Sequence, residues 1–168
     1  MNKTQLRLFS NMLLRIADQL LITSSRNKRD KELIEFIRWK FEDNFNWAKK
    51  ALLKIGRQQT SSELSSGEAH FNNSVGFSSF DARFLTSLYR ALFVESSEEF
   101  KNCHERFGGN LSRKQQDALV KVMKKYAGQI YDNHTDKHKL EKIFEEQKER
   151  FYEKTGYGQK DRTNDYND

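Results

Sequence analysis

Apolar residues recur along most of this chain at intervals of three and four, the period of a helix with one buried face. The first stripe is Leu6, Phe9, Leu13, Ile16 and Leu20, widened by Leu8, Met12, Leu14 and Leu21, with Thr4 standing where an N-cap belongs. So wide a stripe predicts burial on two sides. The helix stops in Thr23-Ser24-Ser25, and the basic run Arg26-Asn27-Lys28-Arg29 has the length of a turn between antiparallel helices. From Asp30 to Ile55 runs the longest periodic segment, with Ile34, Ile37, Phe41, Phe45, Ala48, Leu52 and Ile55 on one seam and Gly56 placed as a C-cap. Trp39, Trp47 and Phe36 lie off that seam. A Trp among lysines either stacks on bases or packs under a neighbouring element.

The pattern then changes. Positions 58–79 are rich in Ser, Asn, Gln and Gly without a period, which predicts a long polar loop or linker. His70, Phe71, Val75 and Phe77 are candidates for folding it onto the body or engaging a partner. Periodicity resumes after Ser79 or Asp81 as cap, with Phe84, Leu85, Leu88, Tyr89 and Leu92 as the buried side. Ser96 with Glu99 offers a capping box for a short helix carrying Phe100, Cys103 and Phe107, which Gly108-Gly109 ends. Ser112 with Gln115 makes the clearest capping box, and Leu111 can staple back near Gln116. The helix it starts turns Leu119, Val122, Met123, Tyr126 and Ile130 to one side and Lys121, Lys124 and Lys125 largely to another. A final helix from near Thr135 uses Leu140, Ile143, Phe144 and Phe151, with alternating charges on its other faces.

These elements predict an all-α fold of five to six helices: a long N-terminal helical hairpin over 1–57, the linker, a C-terminal helical subdomain over 80–152 and a flexible tail over 153–168. No internal repeat relates the two helical parts. The absence of Pro, a charged fraction of 32% and a mean hydropathy of -0.92 fit a soluble, mostly helical protein. The core draws heavily on 13 Phe, 6 Tyr and 2 Trp. The run from Met12 to Ile22 is interrupted by Arg15 and Asp18, so it reads as neither a signal sequence nor a membrane span. A single Cys103 leaves no internal disulfide framework or multi-Cys zinc site, and a cytoplasmic location is the default expectation.

Charge changes the picture more. The net +6 is uneven: residues 1–57 hold 13 Lys/Arg against 6 Asp/Glu, residues 58–110 hold 4 against 7, and residues 111–168 hold 13 against 11. Two basic segments thus flank an acidic middle, a balance suited to a polyanion, because each neutralised phosphate releases counterion. The same patches also read as solvated helix faces. The candidate nucleic-acid-binding residues are Arg113, Lys114, Lys121, Lys124 and Lys125, with Arg26, Lys28, Arg29, Lys49, Lys50 and Lys54 from the first part.

Catalytic and metal signatures are sparse. His134 and His138 are one helical turn apart beside Asp132 and Asp136, a spacing that can hold a metal, but no HExxH glutamate or cysteine completes the set. Cys103 and His104 are adjacent helix residues and point apart, with Cys103 on the apolar face. Gly108-Gly109 lacks the Lys-Ser/Thr of a phosphate-binding loop. No cofactor, metal, catalytic group or membrane partner is expected, and the chain reads as non-enzymatic.

Phe84-Leu85, Ser87-Leu88, Leu111-Ser112, Lys114-Gln115, Leu119, Lys121 and Lys125-Tyr126 resemble a segment of phage and mobile-element proteins that handle DNA, accessory parts beside helicase or single-strand-binding modules. The resemblance implies association with nucleic acid, DNA or RNA, or with its machinery, without catalysis. The main expectation is an accessory protein binding nucleic acid through basic helix faces. The alternative is a small helical interaction module docking on a nucleic-acid enzyme, which predicts an exposed apolar patch at Trp39, Trp47 or Phe77 away from the lysines.

Overall fold

The computed structural model describes residues 26–66, 76–133 and 135–158, and every regular element among them is helical. The expected helix from Thr4, the residues His70, Phe71, Val75 and His134, and the end of the tail lie outside them. The helices are α1 (Lys28–Asp43), α2 (Phe45–Gly56), the short α3 (Ser61–Ser66), α4 (Ala82–Phe93), α5 (Glu98–Phe107) and α6 (Arg113–Met123). A 3-10 turn (Lys124–Tyr126), α7 (Ala127–Asn133) and α8 (Lys137–Thr155) complete the order. No helix among the described residues is long and apolar enough to cross a membrane. By packing the chain divides into two compact units at the Glu32–Leu33 junction, and the first contributes only its residues 26–32 to the description.

The second unit holds the core. Within it α2 packs against both α4 and α6, and α4 packs against α5. The last turns of α1 meet α8 through aromatic rings. Phe36 lies 5.2 Å from Phe144 and 5.6 Å from Phe151, and Trp39 lies 5.7 Å from Phe151. Lys40, only 4% exposed, donates to Asp43 at 2.9 Å and to Gln147 at 3.0 Å, so its charge is paired within the interior.

Several sequence expectations give way to specific contacts. The segment from Asp30 to Ile55 is not one helix. Asn44 adopts an extended backbone, φ -145° and ψ 104°, and its side chain accepts from the Asn46 amide, capping a new helix. Gly56 is not a left-handed cap; it is the last residue of α2, and a Cβ there would meet the Tyr89 ring at 2.3 Å. Close approach of α4 is what requires glycine.

The linker contains α3, opened by a capping box in which the Glu63 carboxylate accepts from the Thr60 amide at 2.9 Å and the Thr60 hydroxyl accepts from the Glu63 amide at 3.3 Å. Ser97 rather than Ser96 caps α5, accepting from the Phe100 amide at 3.1 Å, while Glu99 turns to Arg90 at 3.2 Å. Asp81 occupies the N-cap of α4 without capping it. Phe84 is half out of the core, and Thr86, Ala82 and Ala91 fill the buried side instead. The helix expected through Ile130 is interrupted by the 3-10 turn, where the Arg38 guanidinium donates to the Lys124 carbonyl at 3.2 Å. α8 runs past Tyr152 to Thr155, ends at left-handed Gly156, and Tyr157 folds back to 5.4 Å from Phe151. There are therefore more helices than five or six.

The capping box at Ser112 and Gln115 is present, and Gln116 donates to the Leu111 carbonyl at 2.7 Å. Trp39 and Phe77 are buried and Trp47 is half-buried, so none forms the exposed apolar patch expected of a docking module.

Candidate nucleic-acid interface

α6 carries the densest candidate set because its capping box starts the helix at a defined residue and its apolar side, Leu119 and Met123, is fully buried. The opposite side must then face water. Lys114 and Lys121 repeat at an interval of seven, which places them on one outer line of α6 about 10 Å long at 1.5 Å per residue, and Lys125 follows four positions later in the 3-10 turn that continues it. All three are exposed. Lys114 and Lys121 enter no ion pair among the described residues; Lys125 donates to Asp81 at 3.1 Å.

The other basic residues of this helix are engaged. Arg113 pairs with Asp117 at 3.4 Å, both largely exposed, which is a weak interaction. Lys124 pairs with Glu42 of α1. Lys121 and Lys124 face Glu42, Asp117 and Val120 across an open depression of about 300 Å³. With two cations and two carboxylates, that depression is electrostatically balanced and does not by itself attract a polyanion.

On α2, Lys50 and Lys54 are exposed one turn apart, whereas Lys49 is half-buried with its ammonium 5.9 Å from the Phe93 ring. Arg26, Lys28 and Arg29 belong to the unit before Leu33, where Arg29 pairs with Glu32 at 2.9 Å. The structure thus gathers Lys114, Lys121 and Lys125 on one line and Lys121 with Lys124 on one depression, and it turns Lys49 toward the protein.

One feature of the surface escaped the sequence reading. Phe80 is 88% exposed, and the Lys125 ammonium lies 5.6 Å from its ring centroid, at the end of the lysine line. Its only sequence signal is position: an aromatic residue inside a Ser-Ser-Phe-Asp turn, before the first helical residue, has no helical face to share.

Cys103 is core, as its apolar face predicts. Its thiol donates to the Asn110 carbonyl at 3.1 Å, and burial pushes its pKa up, with nearby Lys49 opposing. The His104 ring stacks on Phe100 at 4.1 Å and takes no part with that thiol. Among the described residues no group of three His, Cys, Asp or Glu side chains is placed to hold a metal.

No protein-family model matches the chain, and neither curated proteins nor solved structures yield a match.

Proposed function

We propose that this protein is a non-catalytic accessory factor that binds nucleic acid through the outer face of α6. The observation that carries the reading is the line of Lys114, Lys121 and Lys125, all exposed, of which the first two enter no ion pair among the described residues. Ammonium groups spaced along one line suit a backbone of regularly spaced phosphates, and each contact adds affinity through counterion release without reading sequence. A place within a phage or bacterial DNA-handling complex rests on the resemblance of positions 84–126 alone.

The test is fluorescence anisotropy with labelled DNA and RNA between about 50 and 200 mM salt, where several phosphate contacts cost orders of magnitude in affinity. The double variant Lys114→Gln, Lys121→Gln is expected to bind more weakly and to lower the log–log salt slope by about 1.5. An unchanged slope refutes the assignment of these lysines, and absence of binding at the lowest salt refutes the reading.

A docking module is the second reading, and Phe107 favours it. This ring is 45% exposed at the end of α5 and lies on a different helix from the α6 lysines. Retention of a protein partner that Phe107→Ser abolishes, in a protein that binds no nucleic acid, would establish it.

A further inference from the structure

The turn at 76–81 buries Phe77 in the core and presents Phe80 to solvent, and hydrogen bonds hold it there as well. The Ser78 amide donates to the Tyr126 hydroxyl at 3.0 Å, and that hydroxyl lies 3.1 Å from Ser78 Oγ and 3.3 Å from Asp81 Oδ2. Gln129 donates to the Gly76 carbonyl at 3.3 Å, and the Asp81 and Ala82 amides both donate to the Ser78 carbonyl, at 3.1 and 2.8 Å. The turn is pinned on both sides. The backbone that carries Phe80 is therefore held at the end of the lysine line, and this leaves a large apolar side chain unburied.

The surroundings of that ring are cationic. Lys125 lies over it, and Arg83, exposed and without an ion pair among the described residues, follows three positions on. Phe84, four positions after Phe80, is 36% exposed. Asp81 is the nearby carboxylate, and it is only 10% exposed with its oxygens already taken by Lys125, Tyr126 and Ser78. A flat apolar ring with a cationic rim fits a ligand that is aromatic and anionic at once.

We propose that Phe80 is a stacking platform for an unpaired base of a single-stranded nucleic acid whose phosphates run along Lys125, Lys121 and Lys114. The proposal rests on the polyanion-binding reading of α6 and narrows it. In a duplex the base faces are covered by their neighbours and the phosphates alone are offered; only an unstacked base can meet a projecting ring.

The experiment compares a labelled oligothymidylate, an oligouridylate and a blunt DNA duplex of equal length against the intact protein and three variants: Phe80→Ala, Phe80→Trp, and Lys114→Gln with Lys121→Gln. Unfolding midpoints are measured in parallel, and Phe80→Ala is expected to leave them unchanged because the ring contacts mostly solvent. Phe80→Ala should weaken single-strand binding by about ten-fold or more, leave duplex affinity and the salt slope unchanged, and be rescued by Phe80→Trp. Wild-type single-strand affinity in Phe80→Ala, or an equal loss for duplex and single strand, overturns the stacking proposal; if the lysine variant remains weak in that case, the polyanion reading survives. No binding by the wild-type protein to any of the three probes overturns both.

Discussion

Among the regions of this molecule that set a cation over an aromatic ring, two differ in what encloses the pair. Between α1 and α8, the Lys40 ammonium lies 5.1 Å from the Trp39 ring and the Arg150 guanidinium 5.6 Å from it, with Phe36 and Phe151 packed behind. Both cations also reach Asp43, and Lys40 and Trp39 are nearly inaccessible. At the 76–81 turn, Lys125 approaches Phe80 at a similar distance, 5.6 Å, but the ring is almost wholly in water. The chemistry of the pairs is alike. Enclosure converts the first into a structural joint, and its lack leaves the second with an unoccupied face.

The contrast breaks most sharply at the aromatic rings. Phe36→Ala is expected to cost about 3–5 kcal/mol in urea unfolding, because it empties a site bounded by Trp39, Phe144 and Phe151. Phe80→Ala should stay within about 0.5 kcal/mol of the wild type. Comparable losses at both positions would mean that the turn is part of the core.

The cations separate next. Lys40→Ala should cost about 2 kcal/mol, since it strips Asp43 of one of its two partners and leaves Gln147 without its donor. Lys125→Ala should cost under about 1 kcal/mol, because that side chain is 56% exposed and Asp81 keeps Tyr126 and Ser78. Thermal or urea midpoints of the two variants decide it.

A pH-dependent effect sharpens the picture of the turn itself. Burial raises the Tyr126 pKa above its ordinary value, hydrogen bonds with Ser78 oppose, and Asp81 adds to the rise. The folded state therefore holds this proton more tightly than the unfolded chain does, so its contribution is intact below pH of about 10 and is lost as pH rises through the higher folded value. Tyr126→Phe should lower stability by about 1 kcal/mol at neutral pH. The gap between its urea midpoint and the wild type's should narrow above pH of about 10.

Local signals foretold what is local. Ser112 and Gln115 announce α6 because a cap three residues from its partner, next to an apolar period, is a complete instruction. Thr60 and Glu63 carry the same chemistry and went unread, since no apolar stripe follows them. The seam through Phe41 and Phe45 continues across Asn44, so periodicity alone cannot show that the backbone there leaves the helix. Gly56 was recognisable as special, but its reason is the Tyr89 ring, which only the folded chain supplies. The lysine line on α6 can be read from spacing. The exposure of Phe80 cannot, because it is set by bonds between Ser78 and Tyr126, 48 positions apart.

The joint between α1 and α8 also has a history in time. Lys40 and Gln147 are separated by 107 positions, so on the ribosome α1 emerges well before the α8 rings that close over Phe36 and Trp39. At typical rates of synthesis the gap is roughly 5–20 s. During those seconds Phe36 and Trp39 lack their cover from Phe144 and Phe151, and they offer purchase to a chaperone or to a second nascent copy.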